Sequence, residues 1–333
     1  LSMASRPVRS GQGRAWTIAV ALAGLATSGA QAQGIAYAKI ELSAKKIAPN
    51  LYTFTGSPGD DPVHPDAAGG RITALVGPEG VLMVDAQYAP ITDKVVVAIR
   101  KTSDKPIRYL INTHAHLDHT GGNAAISALG ALVIAREESR EEMLAPLPAI
   151  AGNAAPPRVP ARLPVLTFGM GGPMKIRLDG ETVDLIPVPP AHTAGDAIIK
   201  FETADVLAVG DVYRNYGYPF ISLADGGTLK GMVAALDVVM NTADPDTLIV
   251  PGHGGLVHRA DVVVYRDMIV AVATAVQRMI GQGRSQREIL QARPTAPYDG
   301  RTPGGQDPVV LGGPTSADRF VSEIYSELTK VKS

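Results

Sequence analysis

The segment Thr113-His114-Ala115-His116-Leu117-Asp118-His119-Thr120-Gly121-Gly122 places four side chains of metal-ligating type within six positions. In an extended segment alternate residues face the same way, so His114 and His116 converge on one point. Asp118 and His119 follow where the chain turns toward Gly121-Gly122, and the set can feed two adjacent metal ions. A lone His-x-His is common in cores and turns without any metal. The full cluster, at the end of an apolar strand where α/β folds place their sites, is what points to metal. Three further candidates each follow an apolar run beside glycine or proline: His192 in Pro190-Ala191-His192-Thr193, Asp211 in Val209-Gly210-Asp211, and His253 in Pro251-Gly252-His253-Gly254. Of the 7 histidines, only His64 and His258 fall outside this set. Cysteine is absent, which excludes disulfides, thiolate ligands and a cysteine nucleophile. Any metal is therefore held by nitrogen and oxygen, a donor set that suits zinc, iron or manganese.

The elements that must position these residues are legible as short apolar runs. Strands are expected over 51–55, 72–76, 81–84 and 107–111, with a helix over 91–99, a helix over 122–128 and a strand over 131–135. Residues 145–164 are crowded with proline, alanine and glycine and read as a long loop. A second β-rich block covers 165–177, 182–188, 197–201 and 206–209. Leu229, Met232, Leu236 and Val239 then recur at helical spacing, as do Val262, Tyr265, Ile269, Val272 and Val276, and Phe320, Ile324 and Leu328 mark a last helix. Two β-rich halves, each followed by helices, predict two packed sheets with helices outside, a four-layer α/β/β/α sandwich.

Residues 1–32 stand apart. Arg6, Arg9 and Arg14 precede an apolar stretch from Trp16 to Leu25, and Ala30-Gln31-Ala32 follows with the small residues of a cleavage site. This is the layout of a secretory signal peptide, and the apolar run is shorter than the roughly 20 residues of a membrane-spanning helix. The expectation is a periplasmic or secreted protein, without a stable membrane anchor after cleavage, whose mature domain with C-terminal helices occupies 33–333. Lys+Arg 31 against Asp+Glu 32 leaves no whole-chain field that favours nucleic acid, so no nucleic-acid partner is expected. Oligomeric state does not follow from the sequence.

The order His-x-His-x-Asp-His, then His, Asp and His, closely resembles the metallo-β-lactamase-fold superfamily, and the resemblance runs from about Leu51 to His258. It implies the α/β/β/α sandwich with metals at one edge of the sheets. It also implies two zinc ions, the first on His114, His116 and His192, the second on Asp118, His119 and His253, with Asp211 bridging. A water shared by two zinc ions loses its proton near neutral pH, which supplies a hydroxide to attack a carbonyl-type bond in a lactone, ester or β-lactam amide. Asp118 would relay a proton to the leaving group. The metal-ligating cluster and this resemblance together make the expected partner a small-molecule substrate. The aromatic stretch from Val212 to Phe220 either lines a pocket, with Tyr213 or Asn215 donating to the oxyanion, or is a packed loop. True metallo-β-lactamases of this superfamily usually carry cysteine or serine where Asp211 stands, so Asp211 argues against a dedicated β-lactamase. Diiron relatives usually have glutamate at the position of His116, which argues against a redox enzyme. Thioesterases of the glyoxalase II kind are mostly cytosolic, which an exported chain fits poorly. The competing expectation is a non-catalytic zinc-binding periplasmic protein that keeps the fold.

Overall fold

The computed structural model describes residues 37–57, 68–144, 162–308 and 313–330. The expected leader over 1–32, His64 and most of the proline-rich segment 145–164 lie outside the described residues. Strands β1 (Glu41–Ala48), β2 (Leu51–Ser57), β3 (Ile72–Gly77), β4 (Gly80–Val84), β5 (Ile107–Ile111), β6 (Leu132–Arg136) and β7 (Leu166–Phe168) form one sheet in chain order. It is antiparallel as far as β4 and parallel from β4 to β7. Strands β8 (Met174–Leu178), β9 (Glu181–Pro187), β10 (Ala197–Phe201), β11 (Val206–Arg214) and β12 (Leu248–His253) form the second sheet in the order β12-β11-β10-β9-β8, with β11 and β12 parallel. The helices are α1 (Thr92–Arg100), α2 (Leu117–Thr120), α3 (Asn123–Ala128), α4 (Glu137–Leu144), α5 (Leu229–Thr242), α6 (Arg259–Gly281), α7 (Gln286–Gln291) and α8 (Ser316–Lys330).

The layering follows from the two-residue period of the strands. Leu75, Leu82, Val84, Ile111 and Ile134 of the first sheet share one buried cluster with Leu185, Ile199, Phe201, Val206 and Val250 of the second. Their out-of-phase neighbours Ala74, Val81, Met83, Leu110 and Val133 pack instead on Val95 and Ile99 of α1 and Ile126 of α3. On the far side Ile198, Leu207, Val209 and Ile249 meet Met232 and Leu236 of α5, Ile269 and Val272 of α6, and Phe320 of α8. Each such fully buried side chain contributes roughly 1.5–3 kcal/mol, and a one-residue slip would turn every one of them to the wrong face. The four-layer α/β/β/α sandwich is therefore the architecture, as expected.

Some elements were not read from the sequence. Edge strand β1 keeps Lys45 and Lys46 in solvent, which guards an open edge but hides the apolar alternation. Helix α4 carries only two apolar residues, Met143 and Leu144, both at its end. Strand β11 runs on to Arg214, beyond the expected 206–209, so Asp211 sits inside a strand and not after one. Among the described residues no helix is long and apolar enough to cross a membrane.

Candidate metal centre

The parallel strands β4, β5, β11 and β12 deliver their C-terminal ends to one edge of the sandwich. Strand β5 runs into Thr113 and His114. His116 is still extended (φ −61, ψ 147) as it caps α2, whose first turn carries Asp118 and whose last carries His119. Asp211 is aimed by an irregularity in β11: the pairing with β12 shifts register at Gly210, whose φ of 51 lies in the left-handed region that favours glycine. A Cβ there would also stand 2.6 Å from Thr113 Oγ1, so Gly210 is what lets the two sheets close on each other here. Gly70 makes a similar close approach, since its Cβ would fall 2.1 Å from Cε1 of His119.

All the ligand-type residues expected from the sequence converge. Donor atoms of His114, His116 and His192 lie within 4.8 Å of one another, and so do those of Asp118, His119 and His253. Asp211 stands between the groups. Its Oδ1 is 3.3 Å from His119 Nε2 and 3.6 Å from His253 Nε2, while Oδ2 is 3.7 Å from His192 Nε2. Asp118 Oδ2 lies 3.2 Å from His253 Nε2 and 3.6 Å from His119 Nε2.

Tautomers follow from what holds the other ring nitrogen. His119 Nδ1 donates to Asp85 Oδ2 at 2.8 Å, His192 Nδ1 donates to the Phe220 carbonyl at 2.7 Å, and His116 Nε2 donates to Asp225 Oδ2 at 3.1 Å. Thr113 Oγ1 gives its proton to Asp85 Oδ2 at 2.8 Å, so it accepts from His114 Nδ1 at 3.1 Å. The inward atoms are then lone pairs: Nε2 of His114, His119 and His192, and Nδ1 of His116. His192 Nε2 and His116 Nδ1 face each other at only 2.9 Å. His114 Nε2, His119 Nε2 and Asp211 Oδ1 are buried with no hydrogen-bond partner. Buried orphan atoms cost about 1–3 kcal/mol each. Converging lone pairs with outward nitrogens tied to acceptors are what a cation in the middle requires, and the donor set fits a metal such as zinc.

The electrostatics divide the rings, two being held neutral and two being drawn toward positive charge. Burial works to lower His119 and His116, but Asp118, Asp85 and Asp211 outweigh it and raise His119 well above the usual histidine value. Asp225 and Asp118 raise His116, so without a cation these carboxylates favour protons on His119 and His116. Burial, and then the neighbouring His119, His192 and His116 rings, push His114 well below the usual histidine value. Burial and His116 push His192 down to about 3, so both rings are neutral, as ligands must be. For Asp211 burial works against ionisation, but His253 and His119 outweigh it and hold the carboxyl well below its ordinary range.

Sequence reasoning missed several supporting residues. Asp85, fully buried just past β4, takes Thr113 N on Oδ1 at 2.8 Å besides its two partners on Oδ2, and so orients His114 and His119 together. Its signal was an aspartate directly after the apolar run 81–84. Asp225 and Glu142 form a group on the outer side of His116, and burial pushes Glu142 up to about 8. Buried Arg136 on β6 donates through Nη1 to Val188 O at 2.8 Å and to Ala194 O and Asp196 O at 3.2 Å, tying the His192 loop to the first sheet. Beside Asp118 stand Tyr37 and Tyr88, their rings edge to face at 5.8 Å. Burial, and then the Asp118 charge, raise Tyr37 to about 12 and Tyr88 higher still, so both phenols stay protonated at neutral pH.

Of the two readings of the aromatic stretch, the contacts of Tyr213 and Asn215 favour packing over donation to an oxyanion. Tyr213 belongs to the core between the second sheet and its helices, its ring 4.6 Å from that of Tyr265. On a strand, Tyr213 lies two residues from Asp211 and Val212 between them points the other way only in a regular pleat; the irregularity at Gly210 breaks that rule. Asn215 is committed to Gly255, accepting from its N at 2.7 Å and donating to its O at 3.0 Å, while the Asn215 N donates to His253 O at 3.2 Å. It clasps the loop that carries His253. Asn215→Ala is expected to weaken metal binding by about tenfold at the low end of outer-ligand effects, with His253→Ala as the benchmark in a chelator-competition titration. An unchanged affinity would refute the clasp. His258 is no part of the site: it caps α6, its N donating to Asp261 Oδ2 at 3.0 Å.

A family model described as the metallo-beta-lactamase superfamily matches residues 66–253. The chain is similar to a hydroxyacylglutathione hydrolase of Polaromonas sp., 27% identical over 190 residues that cover 56% of this chain and 64% of that protein. It is also similar to a 2,4-dinitroanisole O-demethylase subunit alpha of Nocardioides sp., 27% identical over 143 residues that cover 42% of this chain and 40% of that one. The matched segments thus span less than two thirds of either relative. Among solved structures, a metallo-beta-lactamase from Pontibacter korlensis superposes with a TM-score of 0.53 at 18% identity, over 69% of this chain and 99% of that one, a likeness of fold. The family match covers more than half of the chain and takes in every converging ligand residue from His114 to His253, and the protein belongs to the metallo-beta-lactamase superfamily.

Proposed function

We propose that the protein is an exported hydrolase that uses two zinc ions to cleave a carbonyl-type bond. The observation that carries this reading is the position of Asp211, which turns one carboxylate oxygen toward each of two three-residue ligand groups. His114, His116 and His192 would hold one ion, Asp118, His119 and His253 the other, and Asp211 would serve both. When bound, the pair supplies an ionised water near neutral pH and a positive centre for the developing oxyanion.

The protein's own residues do the rest. Asp118 keeps Oδ2 on the ligand group while its side chain remains 20% exposed, so Oδ1 is the oxygen to take a proton from the attacking water and pass it to the leaving group. Phe220 stacks on His116 with ring centroids 5.9 Å apart and gives that side of the site an apolar wall. Lactones, esters and β-lactam amides are the expected substrates. Similarity to a hydroxyacylglutathione hydrolase adds thioesters to the class. The leader-like residues 1–32 support a periplasmic or secreted location.

The test uses residues 33–333, reconstituted with zinc, counted by elemental analysis and assayed on lactone, ester, thioester and β-lactam substrates. About two zinc ions per chain and turnover of at least one class are expected. A chain that takes up no zinc would sink the reading, and a zinc-loaded chain inert on the panel would favour a non-catalytic zinc-binding protein. Chelation has its own consequence. A ligand at a hundred times its Kd stabilises the native state by about 2.7 kcal/mol, so removal of zinc is expected to lower Tm by about 5–10 °C. A Tm indifferent to chelator and to added zinc would contradict it.

A further inference from the structure

The last helix reaches one of the ligand groups through a single aromatic ring. Arg319 of α8, its side chain only 12% exposed, holds its guanidinium 4.4 Å from the centroid of the Phe220 ring. Its Nη2 donates to Tyr218 O at 3.1 Å and Pro219 O at 3.2 Å. One turn on, Glu323 pairs with Arg319 Nε at 3.3 Å and accepts from Ile221 N at 3.0 Å. One face of α8 therefore grips the backbone on both sides of Phe220 as well as its ring.

Phe220 passes this on to two ligands. Its ring stacks on His116, tilted by 23°, and meets His192 nearly edge-on at 5.1 Å, and its carbonyl takes the His192 Nδ1 proton. His116 and His192 belong to the same ligand group. The other group is oriented from elsewhere, His119 by Asp85 and His253 by the loop that Asn215 clasps. A cation over an aromatic face is attracted by the ring quadrupole, and attraction in a water-poor site holds the ring in place.

We infer that Arg319 is a positioning residue that sets the metal affinity of the His114, His116 and His192 group through Phe220, while the Asp118, His119 and His253 group is left nearly unaffected. The inference rests on the two-ion reading only for there being a second affinity to compare.

The experiment is a zinc titration of residues 33–333 against a chromophoric chelator, with zinc alone as the probe, alongside thermal melts of the metal-free proteins. His116→Ala and His253→Ala identify which binding step belongs to which group. Arg319→Met, which keeps bulk without charge or donors, is expected to weaken the step lost in His116→Ala by about tenfold, the lower end of outer-ligand effects. It should leave the step lost in His253→Ala within about twofold. Arg319→Lys keeps the cation but not the fork onto two carbonyls and should fall between. Phe220→Leu, which leaves the Arg319 and Glu323 pair intact, should reproduce the selective loss should Arg319→Met fold poorly. Unchanged affinities, or both falling in proportion to the metal-free melting temperature, would overturn the inference and leave Arg319 a structural residue. A wild-type chain that binds a single zinc would refute the two-ion reading alone, because Arg319→Met must still weaken that step if His116→Ala abolishes it.

Discussion

Asp211→Ala is expected to lower kcat/KM by about 10³-fold or more and to release at least one of the two metal ions proposed for this site. Asp211 offers one carboxylate oxygen to each ligand group: Oδ1 approaches His119 and His253, and Oδ2 approaches His192. Alanine takes away both oxygens and leaves a gap between two sets of converging nitrogens. Two divalent ions held by these groups would repel each other, and Asp211 is the carboxylate placed to offset that repulsion. Asp211→Cys and Asp211→Ser separate the roles, because a thiolate or hydroxyl offers one donor atom where the carboxylate offers two. Both are expected to keep one ion and to lose the other, read by elemental analysis beside turnover on the substrate panel. A gain of β-lactam hydrolysis in either would show how near this site lies to the lactamase branch. Asp211→Ala with two zinc ions and activity within about fivefold of wild type would contradict the bridging role.

The second large effect is expected at Asp85. The side chain is buried, and its carboxylate accepts from Thr113 N, Thr113 Oγ1 and His119 Nδ1. Through Thr113 it also fixes the ring of His114. Asp85→Ala leaves three donors without an acceptor in a buried place, at about 1–3 kcal/mol each before relaxation, and the expected net loss is about 3–5 kcal/mol. Metal affinity is expected to fall by about 10–100-fold, because His119 loses the partner that selects its tautomer. Asp85→Asn is the sharper variant. Asparagine tolerates the left-handed backbone at this position, where φ is 63, so the fold at the turn is kept. Its amide nitrogen must still be turned toward one set of donors, and one hydrogen bond becomes a clash. Urea denaturation of the metal-free protein and zinc competition check the two consequences separately. Stability within about 0.5 kcal/mol of wild type, the usual range for a neutral surface change, would show that Asp85 carries neither load.

The ligand residues were legible because their information is local. The short segment from Thr113 to His119, which follows β5 and turns toward Gly121-Gly122, keeps four ligand-type side chains close together in space whatever their final orientation. Strands 107–111 and 197–201 were read to the residue, since both are short apolar runs with clear ends. The exposed β1 and the charged α4 were not, because neither carries an apolar stripe. The settings of Tyr213 and Asn215 were hidden for a related reason. The aromatic run after the glycine looks like one loop, but the pairing of β11 with β12 carries the strand through Tyr213 to Arg214 and leaves Asn215 at the start of the bend beyond it.

The sequence by itself determined which side chains converge as candidate ligands, through residue type, spacing and the family resemblance together. It also determined the two-sheet sandwich, because period-two apolar runs have to be buried on both sides of each sheet and the same resemblance implies that fold. Only the tertiary structure decided which nitrogen of each histidine points inward. That choice belongs to the acceptor on the other nitrogen, and the acceptors come from far along the chain: Asp85 lies 34 positions from His119 and Asp225 lies 109 positions from His116. Tertiary structure alone also set Asp211 between the two groups, through a register shift that two parallel strands impose on each other. Ligand identity is a property of single residues, whereas ligand orientation is a property of contacts between elements that the chain brings together only when it folds.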